Sequence, residues 1–337
     1  MHAPVTCVVA DLGGTFLRCA IVFGDGSIGA VERFRLGGDA RSRTGDIWTE
    51  VVDAIAAYVE RHYATIPSSA MIAFAFPGPI AGGKIISAPT VLGGETVTPD
   101  VRSLLAARTR REVIVVNDVS AAAWYFGERV SADRFVVVTV SSGIGAKIFD
   151  RRHPLGVLDD VPWSGEIGHL VVENHPDAPI CDCGGIGHLG ALSSARGFER
   201  QARLAAAIDR AGFSRSANVT HFGATSATLN NEEHLVPALR AADPWSLALL
   251  RSAIRPLAQV LRVLCVGSGL EAIVLMGGFV EALGEPYATL VRDAVGRLSD
   301  CGPARLDTPT PIFLVGSGEE PSLIGAAAYA RTFRLVS

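Results

Sequence analysis

The chain has 337 residues, of which 49% are apolar and 19% charged, and its formal net charge is −4. This length predicts two lobes, because single hydrophobic cores rarely grow so large. Basic residues are not concentrated on any segment. No window reaches the roughly 18 uninterrupted apolar residues of a membrane span. The N-terminus has neither the charged start nor the cleavage site of a signal peptide. We therefore expect a soluble, cytoplasmic protein with neither nucleic-acid nor membrane partners.

Two segments share a pattern of strand, tight turn and strand. Residues 5–23 turn at Gly13-Gly14, and residues 135–149 turn through the small residues from Ser141 to Gly145. The duplication suggests two lobes of common ancestry, each with a turn whose backbone N–H groups can cradle phosphate oxygens. A nucleotide is therefore expected between these turns.

Strands alternate with helices along the rest of the chain, which favours an α/β architecture. Apolar spacing and capping residues predict helices over about 46–63, 98–110, 120–128, 194–211, 243–267, 282–299 and 322–333, and strands over 71–76, 113–118, 271–276 and 311–315. The polar residues 213–234 contain no recognisable element.

The strand VIVVND ends in Asn117 and Asp118 directly before a helix. Open α/β folds place reactive groups at such junctions, although a lone aspartate there is as often a helix cap as a base. The junction is therefore a candidate for catalysis that needs support from other motifs.

Two Cys/His pairs, His169 with Cys181 and Cys183 with His188, fall between residues 163 and 194. These side chains are the ligands of tetrahedral zinc, and the glycines after Cys183 permit the turn that the spacing requires. A chance grouping is the alternative, and a disulfide between Cys181 and Cys183 would be strained. The pattern predicts a zinc site.

Two glycine patterns match nucleotide-binding motifs in their letters but not in their sequence context. The GxGxxG of residues 185–190 does not follow a strand, as a dinucleotide fingerprint must, and the GxxxxGK of residues 78–84 lacks the Ser or Thr that would hold magnesium. We interpret Lys84 as a solvated hairpin residue.

The order of the motifs resembles that of the ROK family of bacterial sugar kinases over nearly the whole length. The matching motifs are DxGGT with a later basic residue (Asp11, Gly13, Gly14, Thr15, Arg18), the Gly/Pro hairpin (Pro77-Gly78), ND (Asn117-Asp118), TxGTGxG (Thr139 to Gly145), ExGH (Glu166, His169), CxCGxxGC (Cys181, Cys183, Gly184, Gly187) and a Gly-Gly turn (Gly277-Gly278).

The resemblance implies an α/β, two-lobed actin-like ATPase (ribonuclease H-like) fold with duplicated lobes and a cleft between them. The predicted small lobe comprises 1–117 and 322–337, and the large lobe, 118–321, carries the zinc-binding loop. The implied cofactors are ATP, Mg²⁺ and structural Zn²⁺, and the implied partners are a small-molecule sugar or cyclitol and a second copy of the chain in a homodimer.

The resemblance also implies roles for single residues in phosphoryl transfer to a primary hydroxyl. Asp118 would be the catalytic base, accepting the hydroxyl proton. The substrate would be bound by Asn117, Glu166, His169, Gly78 and Thr90. The nucleotide and its metal would be bound by Asp11, Gly13, Gly14, Thr15, Arg18, Ser142, Gly143, Gly277 and Gly278. Zinc would be bound by His169, Cys181, Cys183 and His188, which orients His169 toward the substrate.

Three departures from the family pattern bear on the acceptor. His188 replaces the third cysteine, Gly190 replaces a glutamate that reads the anomeric end of a sugar, and Thr90 stands near a sugar-binding asparagine. Loss of a hydroxyl-reading group weakens discrimination. We expect a C7-cyclitol of the valiolone type, or another modified hexose, to be favoured over free glucose.

Two alternatives stay open. One is an ordinary ROK glucokinase, which converts glucose to glucose 6-phosphate. The other is a catalytically silent sugar-binding regulator, which the intact Asp118 argues against. Sugar-sensing repressors related to these kinases carry an N-terminal helix-turn-helix, and we expect none here because the first strand is entered by Val5.

Overall fold

The computed structural model describes residues 4–13, 16–37, 47–87, 98–159, 161–299, 312–315 and 320–336. Gly14, Thr15 and Thr90, which the sequence proposes as site residues, lie outside the described residues. The chain divides into two compact units: unit 1 comprises 1–133, 147–164 and 318–337, and unit 2 comprises 134–146 and 165–317. Unit 1 thus takes in 118–133 and 147–164, which the sequence assigned to the large lobe, and the functional lobe boundaries stay a prediction.

The helices are α1 Ile47–Arg61, α2 Val101–Thr109, α3 Asp118–Gly127, α4 Leu189–Ser193, α5 Ala195–Ile208, α6 Arg210–Arg215, α7 Ala217–Thr220, α8 Val236–Arg240, α9 Pro244–Ser268, α10 Gly278–Leu283, α11 Glu285–Ser299 and α12 Pro321–Val336. The strands are β1 Val5–Leu12, β2 Phe16–Phe23, β3 Glu32–Arg35, β4 Met71–Phe76, β5 Ile80–Ala81, β6 Lys84–Ile85, β7 Val113–Asn117, β8 Arg134–Val140, β9 Ile144–Asp150, β10 Ala272–Met276 and β11 Ile312–Val315. None of the helices in the described part of the chain combines the length and apolar character that a bilayer crossing requires.

The five-stranded sheet of unit 1 has the order β3-β2-β1-β4-β7. β1 is antiparallel to β2 and parallel to β4, which is parallel to β7. The register pairs Asp11 with Ala75 and Phe76 with Asn117, so the carboxyl ends of β1, β4 and β7 meet at one sheet edge. Open α/β folds bind ligands at that edge.

Apolar side chains cover both faces of this sheet. Trp48 and Ile55 of α1 and Leu105 of α2 belong to the core on one face, and Ala121 of α3 and Leu323 of α12 belong to the core on the other. The four-residue spacing of Ile47, Val51, Ile55 and Val59 predicted α1, and all four side chains are buried on one side of that helix. Two-sided burial explains why β4 is a continuous apolar run.

The four-stranded sheet of unit 2 has the order β11-β10-β8-β9, and β10 is parallel to both β8 and β11. Met276 pairs with Thr139, so β8 and β10 end side by side. The chain passes from unit 2 into unit 1 within β9, at Lys147. The turns after β8 and β10 are therefore neighbours at one edge.

The connection 213–234, which the sequence left without an element, contains the end of α6, α7 and part of a π-helix over Asn231–Leu235. Asp209 caps α6 by accepting from Gly212 N, and Asn230 caps the π-helix by accepting from Glu233 N. Each element spans about one turn, too short for an apolar period to emerge, which is why the sequence pattern missed them.

Candidate active site

Asn117 and Gly78 join the ends of two parallel strands in unit 1. Asn117 accepts from the backbone N–H groups of Val119 and Ser120, each at 3.0 Å, and so caps α3. Its Nδ2 donates to the carbonyl of Gly78 at 3.0 Å. Its oxygen is therefore engaged by the protein, and the second N–H of Nδ2 is the group that can serve a ligand.

Asp118 is the first residue of α3 and is partly exposed. One of its carboxylate oxygens accepts from Val119 N at 2.8 Å. The helix dipole places favourable positive potential at a helix N-terminus, where this carboxylate lies. The neighbouring side chain, Asn117, is 5% exposed. The junction thus buries the cap and presents the candidate base.

Asp11 lies at the end of β1, paired in register with Arg18 of β2. The Arg18 guanidinium contacts both Asp11 and Glu320, and Arg33 contacts the other oxygen of Glu320 at 2.8 Å. Burial raises the pKa of Asp11, which is 2% exposed, and the charge of Arg18 opposes that shift. Arg18 therefore lies between two carboxylates in this structure, and the contribution of Glu320 was not predicted from the sequence.

In unit 2 the turn Ser141–Gly143 lies next to Gly277. Ser142 and Gly143 are exposed, while the Ser141 carbonyl accepts from Ala195 N at 2.9 Å. A Cβ on Gly277 would lie 2.7 Å from Thr139 Oγ1 and 2.8 Å from the Val140 carbonyl, so only glycine allows this approach. The turns after β8 and β10 are thereby held in close contact.

The predicted zinc ligands, His169, Cys181, Cys183 and His188, converge in unit 2. Their ligand atoms all lie within 4.8 Å of one another. Tetrahedral zinc with its usual bond lengths spaces its ligands by about 3.3–3.8 Å, so the cluster matches such an ion with a small contraction. Cys183 Sγ lies 3.2 Å from His188 Nδ1, and the two imidazoles face each other edge-on at 5.7 Å. The donor set therefore fits the metal.

Backbone hydrogen bonds and one ion-pair cluster hold this loop in place. Cys181 N donates to the Gly185 carbonyl at 2.8 Å, closing the turn between the cysteines. Asp182, between the two cysteines, contacts Arg200 at 2.6 Å and Arg196 at 3.2 Å, both on α5. Ion pairs therefore hold the loop against α5, independently of any bound metal.

Glu166 directly precedes the one-turn 3₁₀-helix Ile167–His169, and His169 is the last residue of that helix. Glu166 Oε2 lies 3.9 Å from His169 Nε2, and both side chains are partly exposed. Gly190 lies in α4, where an added Cβ would be 3.2 Å from the Gly168 carbonyl. The residue that departs from the family pattern therefore packs against the backbone of the ExGH segment.

Among the residues with polar contacts that the sequence did not indicate are Glu320, Ser120, Lys147 and Asp159. A signal existed for Lys147, because a lone lysine in the apolar run IGAKIF is 3% exposed and needs a counter-ion. Asp159 supplies that counter-ion. No sequence pattern pointed to Glu320, which reaches Arg18 across 302 positions.

Comparison with known proteins places these motifs among kinases. A family model described as the ROK family matches residues 7–332. A C(7)-cyclitol 7-kinase from Streptomyces hygroscopicus subsp. jinggangensis is 36% identical, over 97% of this chain and 94% of that protein. A 2-epi-5-epi-valiolone 7-kinase from Actinoplanes sp. is 34% identical, over 88% of this chain and 83% of that protein.

Among solved structures, a ROK hexokinase from Thermus thermophilus is similar, with a TM-score of 0.73 and 26% identity over 98% of this chain and 99% of that one. The likeness confirms the fold class expected from the motifs, the actin-like ATPase fold.

Proposed function

The chain belongs to the ROK family, and on that premise we propose that it is an ATP-dependent kinase for the primary hydroxyl of a glucose-like polyol. A C7-cyclitol of the valiolone type, or another modified hexose, is the favoured acceptor over free glucose. The observation that carries the acceptor assignment is the similarity along nearly the whole chain to kinases named for C7-cyclitols.

The acceptor assignment also has support in the site itself. Gly190 has no side chain with which to read a hydroxyl, and a Cβ there would already be 3.2 Å from the Gly168 carbonyl. A pocket that lacks a side chain to hydrogen-bond this hydroxyl loses selectivity for a sugar that carries it.

The proposed chemistry uses residues of unit 1 for the proton. Asp118 would accept the proton of the primary hydroxyl while the oxygen attacks the γ-phosphorus and ADP leaves. Asn117, held to Gly78, would orient the same acceptor through its second Nδ2 N–H. The transition state is loose, so the contribution required of these groups is positioning more than covalent bonding.

Each unit carries its own proposed nucleotide contacts. In unit 1, Gly13 and Gly14 would donate backbone N–H groups to phosphate oxygens, and Thr15 would also contact the nucleotide. In unit 2, Ser142 and Gly143 would donate backbone N–H groups to phosphate oxygens, and Gly277 and Gly278 would lie near the adenosine. Asp11 would bind the nucleotide's Mg²⁺ through water, and Arg18 would supply positive charge. Bound Mg²⁺ neutralises charge that develops on the transferred group.

The proposed zinc is structural. His169, Cys181, Cys183 and His188 would bind it, and Glu166 with His169 would contact acceptor hydroxyls. A histidine that uses one ring nitrogen for a metal presents the other as an N–H donor, so the metal would set the tautomer of His169. Thr90 completes the proposed acceptor set. A homodimer, a cytoplasmic location and the absence of nucleic-acid and membrane partners remain predictions.

The test is a coupled assay with MgATP and a panel of hexoses, aminosugars and C7-cyclitols, run on the wild-type protein and on Asp118→Asn. We expect the highest kcat/KM with a C7-cyclitol, and loss of turnover in the variant while acceptor binding is kept. Equal efficiency with free glucose would favour an ordinary glucokinase, and acceptor binding without any turnover by the wild type would favour a silent regulator.

A further inference from the structure

Lys147 is a buried cation in the middle of an apolar strand. It is the fourth residue of β9 and is 3% exposed. Its ammonium contacts Asp159 and donates to the Ser164 carbonyl at 2.7 Å. Desolvation of two charges offsets much of the attraction between them, so such a pair is a weak source of stability. The other contacts of this ion pair therefore indicate its role better than its own contribution to stability does.

The second oxygen of Asp159 connects the pair to α3. It accepts from Ser120 Oγ at 2.7 Å, and Ser120 is fully buried in the first turn of that helix. The backbone N–H of Ser120 donates to Asn117 at 3.0 Å. A chain of polar contacts thus runs from Lys147 through Asp159 and Ser120 to the residue next to Asp118.

The rest of α3 is held by packing. A Cβ on Gly325 of α12 would lie 1.7 Å from the Ala121 carbonyl, which means that the two helix backbones are in direct contact. Farther along α3, Trp124 Nε1 donates to the Leu155 carbonyl at 3.0 Å. The helix body therefore has its own supports, and the polar chain acts on the first turn.

We propose that Lys147, Asp159 and Ser120 are positioning residues that hold the first turn of α3, and with it Asp118, in the orientation required for phosphoryl transfer. The inference rests on the proposed function, because it takes Asp118 as the base. β9 begins directly after the turn Ser141–Gly143, so one short segment carries both proposed phosphate donors and the buried cation. Misplacement of a reacting group by about 1 Å can cost roughly 10²-fold in rate.

The central variant is Ser120→Ala, which removes the link and leaves the ion pair intact. Its matched control is Ser246→Ala in unit 2, because Ser246 is also fully buried and donates to an aspartate, Asp243, at 2.8 Å. With the best acceptor, we expect Ser120→Ala to lower kcat about 10-fold and to change both KM values less than about 2-fold. Ser246→Ala should lower the melting temperature about as much as Ser120→Ala does, but it should leave kcat unchanged.

A double variant tests whether Asp159 acts through Ser120. Asp159→Asn alone should lower kcat at least as much as Ser120→Ala, and adding it to Ser120→Ala should lower kcat less than about 2-fold further, since linked residues are not additive. Full multiplication of the two effects, or a Ser120→Ala protein that loses stability but keeps kcat, would overturn the proposal.

Hydrogen exchange of residues 118–121 gives a readout that needs no turnover. Ser120→Ala and Asp159→Asn should speed exchange of these amides, and Ser246→Ala should not. Absence of turnover in the wild type would refute the proposed kinase function, while the exchange data would still decide whether the polar chain holds the first turn. Unchanged exchange in both variants would refute the positioning role by itself.

Discussion

The side-chain amide of Asn117 donates to the carbonyl of Gly78 at 3.0 Å, across 39 positions of sequence. This bond joins the end of β7 to the turn after β4, and so fixes two of the proposed acceptor-binding residues relative to each other. The same Asn117 caps the helix that begins with Asp118. Orientation of the candidate base therefore depends on contacts that lie outside its own motif.

Gly78→Ala should destabilise unit 1 and weaken acceptor binding. The added Cβ would lie 2.7 Å from the Ser87 carbonyl and 2.9 Å from the Phe76 ring, so backbone must shift. Such overpacking costs about 1–3 kcal/mol, measurable by urea unfolding. As a control, Gly267→Ala in α9 meets nothing within 4 Å and should be neutral or stabilising by up to about 1 kcal/mol. A Gly78→Ala protein as stable as the wild type would contradict the packing argument.

Gly190→Glu should move selectivity toward free glucose. The new carboxylate could accept from a sugar hydroxyl, which we expect to improve the ratio of glucose to cyclitol kcat/KM by roughly 10-fold. Because a Cβ at this position is 3.2 Å from the Gly168 carbonyl, Gly190→Ala is needed to separate packing from recognition. If the alanine variant changes the ratio as much as the glutamate variant does, the hydroxyl-reading explanation is wrong.

Purified protein should contain about one zinc ion per chain by elemental analysis. His188→Gln should lose the metal and unfold at a lower temperature, whereas His188→Cys should keep it, because a thiolate is an equivalent ligand. His175→Gln is the control, since His175 lies on the same loop outside the cluster.

Burial raises the pKa of Cys181, so chelators should remove the metal more readily as pH falls. Protein that is fully active and stable without zinc would refute this site.

Arg18→Met should destabilise the protein more at pH 8 than at pH 5. Burial raises the pKa of Asp11 above its unfolded value, so the folded state binds more protons and stability falls as pH rises through the folded pKa. Without Arg18 that pKa rises further, and the loss at neutral pH should be about 1–3 kcal/mol, seen in thermal and urea unfolding. Arg33 contacts Glu320 and has no contact with Asp11. Arg33→Met should therefore lower the free energy of unfolding only slightly and by the same amount at both pH values. A loss independent of pH would mean that Asp11 does not depend on Arg18.

Repeated short-range patterns made much of the fold readable from the sequence. The four-residue spacing from Ile47 to Val59 predicted α1, and the Asp243-Pro244 pair predicted the start of α9, where Asp243 accepts from Ser246 N at 2.8 Å. The four Cys/His residues also lie close in sequence, so ligand chemistry alone indicated that they would converge. In each case the physical cause acts over one or a few turns of chain.

The sequence by itself determined the motif order, the metal donor set and the departure at Gly190, because residue type and near spacing carry that information. Only the tertiary structure decided that Arg18 lies between Asp11 and Glu320, and that Lys147 reaches the first turn of α3 through Asp159 and Ser120. These contacts join residues that are far apart in the chain. They depend on sheet register and on which charges are buried together, and neither is encoded in a local pattern.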